Sequence, residues 1–125
     1  MIRPPRKIFS ARFAFYAGMC AEDQGVFRPY ADRVFERFWK RELAVEQPDA
    51  LAAILAEIGA DTGKFRSYIA DEEQEAKPRL KACFAEAEHD QVFGVPTFVV
   101  EQERFCGCDR IDWITTKLDR MGLRR

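Results

Sequence analysis

Residues 93–100 have the sequence FGVPTFVV, and this aromatic and β-branched stretch decides how the rest of the chain is interpreted. Val, Thr and Phe pack well on a pleated surface, so we predict a strand over residues 95–100. After a tight turn, residues 104–106 form a second strand, and the two strands make an antiparallel hairpin. The first strand is apolar along nearly its whole length, which predicts burial on both faces and neighbours on both edges.

A hairpin of two strands is marginal in water when it stands alone. The chain offers no other convincing strand to lie beside residues 95–100. The free edge of this strand is therefore either covered by the chain's own helices or paired with another chain, as in a homodimer.

Outside the hairpin, apolar residues recur at helical spacing. A first helix is predicted with Phe9, Phe13, Tyr16 and Cys20 on one face, ending near Gly25. Further apolar stripes at this spacing cover residues 27–39, 51–58, 65–69, 80–87 and 111–121. The predicted fold class is α/β and mostly helical, with a helical domain at residues 1–90 and a β-β-α part at residues 91–125.

Composition excludes several function classes. The chain has 125 residues and a formal net charge of -1, which argues against a general nucleic-acid binder. It contains no run of about 20 apolar residues, so no membrane partner is expected, and no signal peptide, so the predicted location is the cytoplasm. His89 is the single histidine, so a two-Cys, two-His zinc site cannot form.

Two motifs around the hairpin contain residues that could bind a ligand or react. A cis Val95–Pro96 bond would turn the main-chain groups of Val95 outward, where an extended peptide-like ligand can pair with them; the alternative is an ordinary trans bond. Cys106 and Cys108 flank Gly107 and are redox candidates, because two such thiols can form a reducible disulfide or bind a soft metal. No metal site is predicted, because Cys20 and Cys83 lie on helix faces typical of core and zinc takes about four ligands.

The hairpin motif and the sequence FCGCDRIDWI at residues 105–114 resemble a known family. They are similar to the C-terminal part of the 2-hydroxychromene-2-carboxylate isomerases and kappa-class glutathione transferases, thioredoxin-fold relatives of DsbA-type disulfide oxidoreductases. The helical run before the hairpin resembles the helical insertion of that family. The resemblance implies an incomplete thioredoxin-like fold, because the family's N-terminal β-α-β unit finds no counterpart before Phe9.

The resemblance also implies a ligand. It assigns glutathione binding to Val95 and Pro96 and, through the Gly-x-Asp-Arg motif, to Cys108 and Asp109, where Asp109 also suits the N-cap of the last helix. The implied reaction isomerises a small aromatic substrate. The catalytic residue is unknown, because the family's nucleophile lies in the missing unit and Ser10 does not match it.

Three functions follow from these observations. The first is a glutathione-linked isomerase or oxidoreductase that has the ligand-binding residues of the family but lacks its usual nucleophile. The second is a non-catalytic interaction domain that pairs through residues 95–100 with a second copy or a partner chain. The third is a Cys-Gly-Cys redox or metal module at Cys106 and Cys108.

Overall fold

The computed structural model describes residues 5–123, which form six α-helices, two short non-α helical segments and one β-hairpin. In chain order the elements are α1 (Arg12–Asp23), α2 (Phe27–Trp39), α3 (Pro48–Glu57), α4 (Gly63–Ala70), a π-helical turn (Glu72–Ala76), α5 (Lys77–His89), β1 (Thr97–Val100), β2 (Glu103–Cys106), a 3-10 turn (Cys108–Arg110) and α6 (Ile111–Arg120). The mostly helical prediction, with a hairpin and then a final helix, is confirmed.

The chain divides into two compact units, and the boundary between them lies within α5, between Lys81 and Ala82. The first unit holds the main core, where side chains from α1, α3 and α4 pack together. The largest of its fully buried side chains are Tyr16, Tyr68, Phe65, Leu51, Ile54, Leu55 and Cys20. The predicted boundary of the helical domain, between residues 90 and 91, lies nine residues later along the chain and stays a prediction.

Several element boundaries differ from the predictions. The first helix begins at Arg12, so Phe9 lies outside it and instead makes an edge-to-face contact with Phe38. Pro78 lies in the first turn of α5, where a missing N–H breaks no hydrogen bond within the helix. The segment Glu72–Ala76, which contains three glutamates and directly precedes α5, forms a π-helical turn.

The hairpin is shorter than its composition suggests. β1 begins at Thr97, two residues after the predicted start, and pairs with β2 so that Phe98 lies opposite Phe105. Within residues 5–123 the sheet has these two strands alone. The expectation of burial on both faces is wrong, because the Phe98 and Val99 side chains are 39% and 54% exposed.

Within residues 5–123, the structure contains no helix long and apolar enough to cross a membrane.

Candidate functional site

The residues that directly precede β1 are exposed to solvent. The Val95–Pro96 peptide bond is cis, and the Val95 side chain is 94% exposed. The hydroxyl of Thr97 donates a hydrogen bond of 2.6 Å to the carbonyl of Gly94, closing a short turn around the proline. Because strand pairing begins only at Thr97, Val95 precedes the ladder and stays accessible.

One main-chain hydrogen bond joins the residues that precede β1 to the residues that follow β2. The N–H of Gly107 donates to the carbonyl of Pro96 at 2.8 Å, which extends the pairing of β1 and β2 by one residue pair. The residues that the sequence singled out before β1 and after β2 therefore lie side by side. The structure brings Val95 and Pro96 together with Cys106 and Cys108, at one end of the hairpin.

Gly107 has a conformation that suits glycine alone. Its φ of 87° and ψ of 159° fall in a region that side chains exclude. A methyl group at this position would also lie 2.6 Å from Oδ1 of Asp109, so the carboxylate occupies the space a side chain would take. The sequence analysis assigned Gly107 no role beyond separating Cys106 from Cys108. A glycine directly after a strand is, however, a signal that another group lies close to the backbone at that position.

Asp109 does not cap α6, so that prediction is wrong. It lies inside the 3-10 turn Cys108–Arg110, and the residue before α6 is Arg110, which makes no side-chain capping bond. The turn places the carboxylate of Asp109 back towards Gly107 instead. Among residues 5–123 this exposed carboxylate forms no hydrogen bond or ion pair, so it is free to meet a cationic group of a ligand.

The cysteines near the hairpin are separate thiols. Cys106 and Cys108 are exposed and unpaired, and Sγ of Cys106 lies 3.7 Å from the hydroxyl oxygen of Thr97. Over the described part of the chain, no group of three or more His, Cys, Asp or Glu side chains is placed to hold a metal ion. The redox role of the two thiols stays a prediction.

Cys20 differs from these thiols because it is buried in the helical core. Burial, and then the negative charge of Asp23, raises the pKa of the Cys20 thiol to about 11. Ser10 is exposed and belongs to the first unit, where its N–H donates to a carboxylate oxygen of Glu46 at 2.9 Å.

Sequence reasoning missed a shallow depression between β2 and α6. Phe105 and Trp113 supply its apolar surface, and Lys117 and Arg120 supply positive charge. Lys117 also contacts Glu103 at 2.7 Å, and this hydrogen bond raises the pKa of its ammonium group. The spacing of Trp113 and Lys117, four residues apart on a helix, is the sequence signal that places them on one face.

Comparison with known proteins adds a family assignment. The family model described as the DSBA-like thioredoxin domain matches residues 4–119, which is nearly the whole chain. No curated protein matches the sequence.

Proposed function

Because the chain belongs to the DSBA-like thioredoxin domain family, a family of oxidoreductase and isomerase type, we propose that the open end of its hairpin binds glutathione. The finer assignment to the 2-hydroxychromene-2-carboxylate isomerases and kappa-class glutathione transferases is part of this proposal. So are a small aromatic substrate and a cytoplasmic location.

One observation carries the proposal: the hydrogen bond from Gly107 to Pro96, which holds two groups of ligand-binding candidates together. On one side lies Val95, which is exposed and outside the strand ladder. On the other side, Asp109 directs a free carboxylate into the space beside Gly107. A peptide main chain and a carboxylate at adjacent positions suit a small peptide that carries an ammonium group.

The chemistry of glutathione fits these groups. Its cysteinyl portion offers amide N–H and C=O groups for the main chain of Val95, and its γ-glutamyl ammonium can pair with the carboxylate of Asp109. Cys108 lies next to Asp109 and would line the γ-glutamyl end. When bound, glutathione supplies a thiol nucleophile that can add reversibly to an unsaturated compound.

The residues of this chain then have limited roles. Val95 orients the ligand through its main chain, and Asp109 fixes the charged end through an exposed ion pair. No described side chain is assigned to thiol activation, because Ser10 does not match the nucleophile of the family and the thiols of Cys106 and Cys108 belong to the separate redox alternative. The proposed function is therefore ligand binding, with catalysis dependent on a group not identified in residues 5–123.

Calorimetric titration with glutathione tests the proposal, with Asp109→Asn as the variant and Asp112→Asn as the matched control. Both residues are exposed acids in the same region, and both substitutions remove one negative charge. An exposed ion pair contributes about 0.5–1 kcal/mol, so Asp109→Asn should weaken binding by about two- to fivefold. Asp112→Asn should leave the affinity within error of the original chain.

A second ligand distinguishes the contact with the main chain of Val95 from the contact with the carboxylate of Asp109. N-acetylcysteinylglycine keeps the cysteinyl amide but lacks the γ-glutamyl ammonium group, so its affinity should be lower and should not respond to Asp109→Asn. Absence of glutathione binding at millimolar concentration would reject the proposal. Equal losses from Asp109→Asn and Asp112→Asn would reject the assigned role of Asp109.

A further inference from the structure

The four thiols of the chain differ in their surroundings. Cys20 is buried, whereas Cys83, Cys106 and Cys108 are exposed. Cys83 lies within α5, Cys106 ends β2, and Cys108 begins the 3-10 turn before α6. Exposure alone lets a reagent reach a thiol, but groups that hold the reagent beside one thiol raise the rate at that position. The neighbours of each exposed thiol therefore decide which one a given reagent modifies fastest.

The register of the hairpin places Cys108 at the level of Val95. The hydrogen bond from Gly107 to Pro96 continues the pairing of β1 and β2 by one residue pair. Counting one more residue in each direction brings Val95 opposite Cys108. Both residues are exposed, and within residues 5–123 the Cys108 thiol forms no hydrogen bond or disulfide. A ligand bound to the main chain of Val95 therefore has this thiol beside it.

Cys106 is placed differently from Cys108. It lies opposite Thr97 within the ladder, and its Sγ is 3.7 Å from the hydroxyl oxygen of that residue. The Thr97 hydroxyl donates its own proton to the carbonyl of Gly94, so the Cys106 thiol is the donor in the contact between the two side chains. The thiol of Cys106 is thus engaged with β1, whereas that of Cys108 carries no such bond.

We propose that Cys108 exchanges with glutathione disulfide, so that the chain forms a mixed disulfide with glutathione at this residue. The inference rests on the proposed function, because it uses the same glutathione-binding groups. One half of the disulfide takes the place proposed for glutathione, with its cysteinyl main chain at Val95 and its ammonium group at the Asp109 carboxylate. The cysteinyl residue of glutathione directly follows the γ-glutamyl residue, so a ligand bound at both positions has its sulfur close to the Cys108 side chain.

The reaction is a thiol–disulfide exchange. The Cys108 thiolate attacks the sulfur of the bound half, a new S–S bond forms between these two atoms, and the S–S bond of glutathione disulfide breaks. The second glutathione leaves as a thiolate and takes up the proton that Cys108 lost, so one molecule of reduced glutathione is released. Cys108 is oxidised and the sulfur of the released glutathione is reduced. An excess of reduced glutathione reverses the reaction.

Charge beside Cys108 favours a disulfide that carries an ammonium group. The Asp109 carboxylate is exposed and forms no hydrogen bond or ion pair among residues 5–123, so it attracts that group and repels a reagent whose charges are all carboxylates. Cys83 has different surroundings, because it lies in the interior of α5, where the helix itself uses the main-chain N–H and C=O groups. Cys83 is therefore an exposed thiol without the ligand-binding groups.

Mass spectrometry that resolves each modified site tests the proposal in the unaltered chain, treated with glutathione disulfide at pH 8. Cys108 should be modified about tenfold faster than Cys83 or more, because binding places the disulfide beside one thiol and not the other. Cys106→Ser separates the two neighbouring thiols, and the rate at Cys108 should persist in that variant. Equal rates at Cys83 and Cys108, or preferred modification of Cys106, would overturn the proposal.

The disulfide of N-acetylcysteinylglycine is the matched reagent, because it keeps the cysteinyl amide and the S–S bond but has no ammonium group. Its preference for Cys108 over Cys83 should be smaller than that of glutathione disulfide. Asp109→Asn should slow the reaction of Cys108 with glutathione disulfide by about two- to fivefold and leave the reaction with the matched reagent unchanged, whereas Asp112→Asn should affect neither. An equal preference for Cys108 with both disulfides would overturn the proposal, because the reactivity would then belong to the thiol alone.

Calorimetric titration of the unaltered chain with reduced glutathione distinguishes failure of this inference from failure of the proposed function. Reduced glutathione contains no disulfide, so its binding does not require the exchange. If it binds while Cys108 reacts no faster than Cys83, the inference is wrong and the proposed function stands. If it does not bind, the proposed function is wrong and the inference falls with it, whichever thiol reacts. Binding together with preferred modification of Cys108 is the result that we expect.

Discussion

Replacing Gly107 with alanine should destabilise the hairpin unit by a predictable amount. The φ and ψ of Gly107, 87° and 159°, cost a residue with a side chain roughly 1–3 kcal/mol. Alanine also restricts the unfolded chain, which offsets about 0.4–1 kcal/mol of that loss. Taking the middle of each range, the net expectation is a free energy of unfolding about 1 kcal/mol lower.

Urea denaturation followed by tryptophan fluorescence measures this loss. A Trp39→Phe background leaves Trp113 as the reporter, so the signal comes from the unit that contains Gly107. With a typical slope for a small domain, the midpoint should fall on the order of 0.5–1 M. Gly94→Ala is the matched control, because a methyl group there meets nothing within 4 Å, and its midpoint should be unchanged.

A double variant separates the two causes of the loss. The methyl group of Gly107→Ala would lie 2.6 Å from Oδ1 of Asp109, and Asp109→Ala removes that contact. Adding Asp109→Ala should therefore recover only a small part of the lost stability, because the backbone conformation remains unfavourable. Full recovery would refute the backbone explanation, and an unchanged midpoint in Gly107→Ala alone would refute the geometry of the turn.

Three further predictions concern the helical unit. Phe65→Ala, at a fully buried position, should lower the free energy of unfolding by about 3–5 kcal/mol in denaturant titration, whereas Phe35→Ala, at a position 64% exposed, should change it by less than about 0.5 kcal/mol. The hydrogen bonds from Arg79 lower the pKa of the Asp23 carboxyl group, so Asp23→Asn should lower the free energy of unfolding by about 0.5–1 kcal/mol at pH 7. This difference between the two chains should disappear as the pH falls below about 4, because the carboxyl group is then protonated in the original chain. A difference in stability that stays constant in acid would contradict the assignment. Cys20 should not react with a disulfide reagent at pH 8 until the chain is unfolded, since its thiol is buried and its pKa is raised to about 11, and rapid modification in the native chain would contradict this.

Sequence patterns predicted the helices well where an apolar stripe was long. The i, i+3 and i+4 spacing of Leu51, Ile54 and Leu55 identified a helix whose face is fully buried, and the structure places Pro48 in its first turn. Helix starts were less predictable, as at Phe9, because an apolar residue at helical spacing can pack on the core from a loop. Periodicity describes which side of a segment is apolar, but it does not determine where hydrogen bonding begins.

The residues of the candidate site came from the family resemblance, and their ligand-binding role stays a prediction. The resemblance assigned that role to Val95, Pro96, Cys108 and Asp109, and the sequence also placed Asp109 at the N-cap of α6, which is wrong. The 3-10 turn displaces the helix start to Ile111 and turns the carboxylate towards Gly107. That placement depends on the tertiary position of Gly107, which the hydrogen bond to Pro96 fixes and which no local pattern encodes.

The hydrogen bond between Gly107 and Pro96 underlies the glutathione proposal, because it fixes Gly107 beside the start of β1. The carboxylate of Asp109 occupies the space that a side chain at Gly107 would take, so its position depends on the same turn. The proposal uses this carboxylate together with the main chain of Val95, which precedes the strand ladder. Asp109→Asn should therefore weaken glutathione binding without lowering the free energy of unfolding. If the substitution lowered both, it would be acting through the fold of the turn, and the role argued for the Asp109 carboxylate would be wrong.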